Sequence, residues 1–182
     1  MHFAGKLSPA QFWAHVAQME DTIRAGFGAF PVYALAAWSG PRMLAEWGSE
    51  NDVLTTAGLL FGDPDSSYAH VQTTRTDPFE VALTARFAAG GPPTSGEDVR
   101  NRRHALSEAP TTTRTIRVDD VPVEFTCWDT TGTWYAAAAH GPLGLVLDSK
   151  HLDPATFALT RLDDIEPYLA GRRAHLRLRR GE

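Results

Sequence analysis

The most constraining feature of the sequence is a stretch of alternating apolar and polar residues from 113 to 148, interrupted by turn residues at short intervals. It divides into four segments of strand length, at 113–118, 121–128, 133–140 and 143–148. Connections this short join antiparallel neighbours, because a parallel crossover needs a dozen or more residues. The stretch therefore predicts a four-stranded antiparallel meander.

The three turns of this stretch also predict the register of the meander. Each predicted pair joins apolar residues on one face of the sheet, as strand alternation requires. The pairs are Val118 with Val121, Ile116 with Val123, Cys127 with Trp134, Phe125 with Ala136, Ala136 with Leu147, and Ala138 with Leu145. Because Cys127 belongs to this apolar set, we expect it to be buried and inert rather than a nucleophile with His140 as its base.

Elements with clear start and stop signals surround the meander. A first helix is predicted from Ser8 to Ala25, with a capping box formed by Ser8 and Gln11. Its apolar stripe consists of Phe12, Val16, Met19, Ile23 and Phe27. Further helices are predicted at 77–88, 97–107 and 164–171, and further strands at 32–38, 42–47, 53–61, 68–74 and 157–162. The predicted fold class is therefore α+β, with one or two antiparallel β-meander sheets and three or four packed helices.

The length of 182 residues favours a single α+β domain over residues 1–182. A Gly- and Pro-rich stretch at 90–96 is the one linker-like segment, so any subdivision is expected near it. A chain of this length hides roughly 70% of its unfolded surface when it folds. It therefore needs neither a disulfide nor a metal for stability.

The charge of the chain is unevenly distributed. Residues 171–182 hold five arginines and one glutamate, a formal charge of +4. Since the whole chain has a net charge of −5, residues 1–170 carry −9. An acidic body repels a phosphate backbone, so nucleic acid is not expected as a partner. The arginine-rich tail, 172–180, is predicted to be a solvated, frayed terminus; the alternatives are a terminal edge strand and a contact for an acidic partner or nucleic acid.

Several classes of protein and site are disfavoured by the sequence. A single cysteine excludes an intrachain disulfide and a four-cysteine zinc site. The seven histidines are scattered without metal-ligand spacing, and no Gly-rich phosphate loop follows a strand, so we expect neither a metal nor a cofactor. Residues 1–6 lack the pattern of a signal peptide, and no stretch approaches the ~20 apolar residues of a membrane span. The expected location is cytoplasmic, away from any membrane.

The densest aromatic segment of the sequence suggests a binding surface. Trp38, Arg42 and Trp47 cluster about the tight turn formed by residues 39–41. Tryptophan and arginine are the side chains that dominate binding hot spots. The segment predicts a recognition platform for another protein; the alternative is that both indoles cover the core, as large aromatic side chains usually do.

A second candidate site lies on the polar face of the predicted meander. This face carries Glu124, Tyr135 and Asp148, and His70 occupies an alternating strand elsewhere in the chain. Two carboxylates near a phenol or an imidazole can perform acid–base chemistry when they share a cleft. The alternative is an ordinary solvated sheet face.

These observations lead to two functional hypotheses. The first is a non-enzymatic, soluble binding or accessory protein, comparable to inhibitors, immunity proteins or adaptors, with another protein as its partner. The alternative is a small cofactor-independent enzyme that uses carboxylates and a histidine or tyrosine on a sheet face. A flat, exposed tryptophan surface would favour the first, and a deep pocket at the second candidate site would favour the enzyme.

Overall fold

The computed structural model describes residues 8–51, 53–130 and 132–182. Within these ranges there are nine strands, which form one sheet, and four α-helices, so the α+β fold class is confirmed. The helices are α1 Pro9–Phe27, α2 Pro78–Ala89, α3 Gly96–Ser107 and α4 Glu166–Arg180. The strands are β1 Tyr33–Leu35, β2 Arg42–Glu50, β3 Val53–Asp63, β4 Ser67–Thr74, β5 Thr112–Val118, β6 Val121–Thr130, β7 Thr133–His140, β8 Leu143–Lys150 and β9 Ala158–Arg161. The prediction that residues 1–6 hold no signal peptide concerns a segment outside the described residues.

The sheet has the order β1-β9-β5-β6-β7-β8-β4-β3-β2. The meander β5 to β8 is present as predicted, but the prediction of a purely antiparallel sheet is wrong, because β9 pairs with β5 in parallel. After β8 the chain passes three strands of the meander before it forms β9, and such a long return permits a parallel pair. The segment 90–96 connects α2 to α3, and strands before and after it share the sheet through the pair β4 and β8.

The register of the meander agrees with the prediction at two of its three turns. Val118 pairs with Val121, and Ala138 pairs with Leu145. At the middle turn the predicted pairing is wrong by two residues, since Cys127 pairs with Ala136. Here the ladder continues to Thr130 and Thr133, next to Gly132, whose positive φ of 87° suits a tight hairpin. A shift of two residues preserves the face of every side chain, so Cys127 is buried as expected and burial raises the pKa of its thiol.

Two rows of side chains run across five neighbouring strands, one on each face of the sheet. The inner row consists of Leu59, Val71, Leu147, Ala136 and Cys127, which are paired in that order and at most 1% exposed. The outer row consists of their chain neighbours Leu60, His70, Asp148, Tyr135 and Trp128, paired in the same order. The inner row belongs to the main core, to which α1 contributes Ile23 and α4 contributes Leu169. Helix α2 covers only part of the outer face, over β7 and β8.

The arginine-rich tail also differs from its prediction. It is neither frayed nor a strand, because α4 continues to Arg180. Gly171, predicted to end the helix, is instead a packing residue: a Cβ there would overlap the backbone carbonyl of Arg42 on β2. Arg172 donates hydrogen bonds of 3.0 Å to the carbonyl oxygens of Leu44 and Ala45. The helix thus covers the edge strand β2, whose carbonyl groups would otherwise lack partners.

The first helix agrees with its prediction. Ser8 and Gln11 form a reciprocal capping box, and Val16 and Ile23 of the predicted stripe are buried. The helix also buries Glu20, which bonds to Arg173 of α4. In the described part of the chain, no helix combines the length and the apolar composition that crossing a membrane requires.

Candidate functional site

His70 and Asp148 form the centre of the polar part of the outer row. The two residues are direct partners on β4 and β8, so their side chains point to the same face. Nδ1 of His70 lies 3.0 Å from Oδ1 of Asp148. Both side chains are largely covered, with 17% of the histidine and 14% of the aspartate exposed.

Glu46 approaches the opposite edge of the same imidazole ring. Its Oε1 lies 4.0 Å from Nε2 of His70, and half of its side chain is exposed at the rim. Burial opposes the charged form of His70, but the hydrogen bond to Asp148 and the negative charges of Asp148 and Glu46 outweigh it. The pKa of His70 is therefore raised above its ordinary value of 6.5.

Gly58 makes this arrangement sterically feasible. It pairs with Glu46 in the middle of β3 and lies beneath the contact between Glu46 and His70. A Cβ at this position would come within 2.5 Å of His70 Nε2 and 2.6 Å of Glu46 Cγ. A glycine inside a strand weakens pairing, so its presence here is explained by the two side chains that lie over it.

Two tyrosines adjoin the carboxylate of Asp148. Burial and the negative charge of Asp148 raise the pKa of Tyr68 and of Tyr135. Both phenols therefore stay protonated at neutral pH. The positive charge of Arg86 acts in the opposite direction on Tyr135, and the same arginine lies over the Trp128 ring with its guanidinium carbon 4.9 Å from the ring centre.

His70, Asp148 and Glu46 lie at the floor and rim of a pocket of about 420 Å³ between the sheet and α2. The strands contribute Glu46, His70, Gln72 and Asp148, the connection from β4 to α2 contributes Thr76, and α2 contributes Glu80, Val81, Thr84 and Ala85. Val81 and Ala85 give the helix wall an apolar portion. The carboxylate of Glu80 is held 2.6 Å from Arg103 of α3, so its charge is already compensated. We call this cavity the outer pocket.

Only two of the four residues of the second candidate site line the outer pocket. His70 and Asp148 line it together. Tyr135 belongs to the same row but is buried in the cluster beneath Ala82 of α2. Glu124 lies elsewhere: it is exposed on β6, opposite Thr115 of β5 and separated from β8 by β7.

The three residues of the predicted aromatic platform contact different parts of the fold. Trp38 packs on Phe61 with a centroid distance of 5.9 Å, and its Nε1 donates to the Pro41 carbonyl. Trp47 lies beneath the guanidinium of Arg172, 4.7 Å from the ring centre. The exposed Arg42 lies over the ring of Tyr168 at 5.6 Å. Both indoles are half-buried against the main core, and their role in binding stays a prediction.

Glu46 and Gly58 contribute to the outer pocket but were not predicted as site residues from the sequence. Glu46 lies within the aromatic segment, where the tryptophans dominated the interpretation. Gly58 carried a usable signal, since an isolated glycine inside an apolar strand pattern indicates close approach by another group. The pairing of β4 with β8 had no local signal, because its partners are separated by 70 or more residues.

Within the described residues, no group of three or more His, Cys, Asp or Glu side chains is arranged to hold a metal ion. No known protein family, curated protein or solved structure matches this chain. The functional argument therefore depends on the geometry of the outer pocket.

Proposed function

We propose that this chain is a non-enzymatic binding or accessory protein whose partner, another protein, is recognised at the outer pocket. The observation that carries the proposal is a concave site with convergent polar groups, in which both edges of His70 face carboxylates. Perturbed titratable groups in a cleft are more frequent at functional sites than elsewhere on a protein.

The two carboxylates that face His70 favour binding over catalysis. A general base needs an unprotonated ring nitrogen, and the two carboxylates at Nδ1 and Nε2 stabilise the doubly protonated ring. The rim position of Glu46, with half of its side chain exposed, leaves the pocket accessible to a side chain presented by a partner.

The test is capture of the partner from the native host with purified wild-type protein and matched variants. Asp148→Asn and Glu46→Gln should each reduce the captured partner at least about tenfold, as loss of a charged interaction in a binding site does. Glu124→Gln is the matched control, because it neutralises a carboxylate outside the pocket, and it should leave capture unchanged. Equal capture by the wild type and both pocket variants would contradict the proposed site.

A parallel arm addresses the aromatic segment. If Trp47→Ala abolished capture while Asp148→Asn did not, the function as a binding protein would stand, but its surface would be that of Trp38, Arg42 and Trp47. Circular dichroism and urea denaturation of each variant separate loss of binding from loss of folding.

An enzyme is the second candidate, because the outer pocket lies at His70 and Asp148, where a pocket was expected to favour one. The contact of Nδ1 with Asp148 fixes the orientation of the ring, so the neutral form of His70 would present a lone pair on Nε2 beneath the pocket. Mass spectrometry of the captured partner after incubation distinguishes the two functions. A binding protein returns its partner chemically unchanged, whereas an enzyme alters it in a manner that His70→Gln abolishes.

A further inference from the structure

His70 gives the outer pocket a positive charge when it is protonated, and two carboxylates face its ring. When His70 is protonated, Asp148 and Glu46 leave the pocket with a net charge of −1, since Arg103 compensates Glu80. When His70 is neutral, the net charge is −2. In both states the lining attracts a cation, and the attraction is stronger without the proton.

The dimensions of the pocket fit a cation that is carried on a short apolar stem. The carboxylates of Asp148 and Glu46 lie at the floor and rim, while Val81 and Ala85 of α2 provide apolar surface on the wall. The volume of about 420 Å³ lies within the usual range for small-ligand sites. Burying an ammonium or guanidinium group requires such paired acceptors, because an isolated buried charge is strongly unfavourable.

We propose that the ligand of the outer pocket is an alkylammonium or alkylguanidinium group that competes with the proton on His70 for Asp148 and Glu46. The inference rests on the proposed function and names the chemistry recognised at the same site. Two sources share this chemistry: a free polyamine, and a lysine or arginine side chain of a partner protein.

The competition depends on the charged and titratable groups that face His70 from every neighbouring element. Two anionic side chains face the ring, from β2 and β8, and two protonated phenols lie beside Asp148, from β4 and β7. On α2, one carboxylate is paired with an arginine of α3, and one arginine lies over a tryptophan ring. The groups are Glu46 on β2, Asp148 on β8, Tyr68 on β4, Tyr135 on β7, and Glu80 and Arg86 on α2. Histidine is the one residue type in this set whose ordinary pKa lies near neutral pH.

The test is isothermal titration calorimetry with three probes that share one stem: n-butylammonium, butanol and butyrate. Butylammonium stays protonated below about pH 10, so any pH dependence at lower pH belongs to the protein. We expect butylammonium alone to bind, with an affinity that rises up to about tenfold per pH unit while His70 titrates. Buffers of different ionisation enthalpy should reveal release of up to one proton for each bound ion.

Three variants sharpen the result. Asp148→Asn should weaken butylammonium binding at least about tenfold, and Glu124→Gln should not change it. His70→Gln should retain binding and lose its pH dependence, so it keeps the proposal testable if Asp148→Asn does not fold. Binding of butanol or butyrate as tight as that of butylammonium would overturn the cation assignment while leaving pocket binding intact, and absence of butylammonium binding would overturn it as well.

The source of the cation is decided with two larger probes, spermidine and the peptide Gly-Gly-Lys-Gly-Gly. Binding of the peptide supports a partner's side chain as the source. Binding of spermidine alone supports a free polyamine, in which case the cation assignment stands and the protein-partner part of the proposed function fails.

Discussion

The inner and outer rows of the sheet are made of consecutive residues on the same five strands, yet they differ in chemistry. Leu147 of the inner row is fully buried among apolar side chains, whereas its neighbour Asp148 forms a hydrogen bond with His70 in a pocket. The inner face is covered by apolar side chains from α1 and α4, but α2 leaves part of the outer face open. The inner face is thus closed by the main core, whereas the outer face combines a smaller apolar cluster beneath α2 with the open outer pocket.

The largest expected effect lies on the inner row. Leu147→Ala should lower the free energy of unfolding by about 2–5 kcal/mol, because it leaves a cavity in a close-packed core. Gln72→Ala, a truncation on the outer face within the pocket, should lower it by less than about 1 kcal/mol. Urea denaturation monitored by tryptophan fluorescence measures both. Comparable losses for the two variants would show that the faces do not divide the roles of folding and binding.

An intermediate effect on stability is expected at Gly58, over which the side chains of His70 and Glu46 lie. Gly58→Ala forces His70 and Glu46 to move, since the new methyl group would lie within 2.5 Å of His70 Nε2. We expect a loss of roughly 1–3 kcal/mol in the free energy of unfolding. The variant should also lose butylammonium binding.

Gly48→Ala is the control for this substitution, because a Cβ at that β2 position would meet Thr56 at 3.3 Å, which a small adjustment relieves. It should retain binding. A Gly58→Ala protein with wild-type stability and wild-type binding would contradict the described floor of the pocket.

The smallest expected effect is the pH dependence of stability that arises from His70. Its pKa in the folded protein is raised above the unfolded value of about 6.5. The resulting stabilisation is fully present below the unfolded pKa and is lost as the pH rises through the folded pKa. The difference in unfolding free energy between wild type and His70→Gln, followed from about pH 5 to about pH 9, should therefore shrink with rising pH. A difference that grows with pH would mean that the effect of burial on the pKa of His70 exceeds the effect of the carboxylates.

The inner row was largely predictable from the sequence, and the outer pocket only partly. Strand alternation with short turns determined the faces of Cys127, Ala136 and Leu147, and even an error of two residues at one hairpin left them unchanged. The contact of His70 with Asp148 depends on the pairing of β4 with β8, which joins the two halves of the chain. No local pattern specifies such a long-range pair.

The corrections to the sequence analysis have the same physical origin. Glycine is a residue type that often ends helices, but Gly171 lies inside α4, where it lets the helix approach the Arg42 carbonyl closely. Arg172 and Arg173, which follow it, stabilise the helix through tertiary contacts, Arg172 with two carbonyl groups of β2 and Arg173 with Glu20 of α1. Propensity and charge alone do not reveal such partners, because the partners lie more than 100 residues away.

The central claim is that His70, Asp148 and Glu46 form one electrostatic unit to which a ligand cation binds. An NMR titration of the His70 imidazole, with and without butylammonium, tests it most directly. We predict a pKa above 6.5 in the free protein, a lower pKa when butylammonium is bound, and a lower pKa in Asp148→Asn. A His70 pKa that neither butylammonium nor Asp148→Asn changes would contradict the claim.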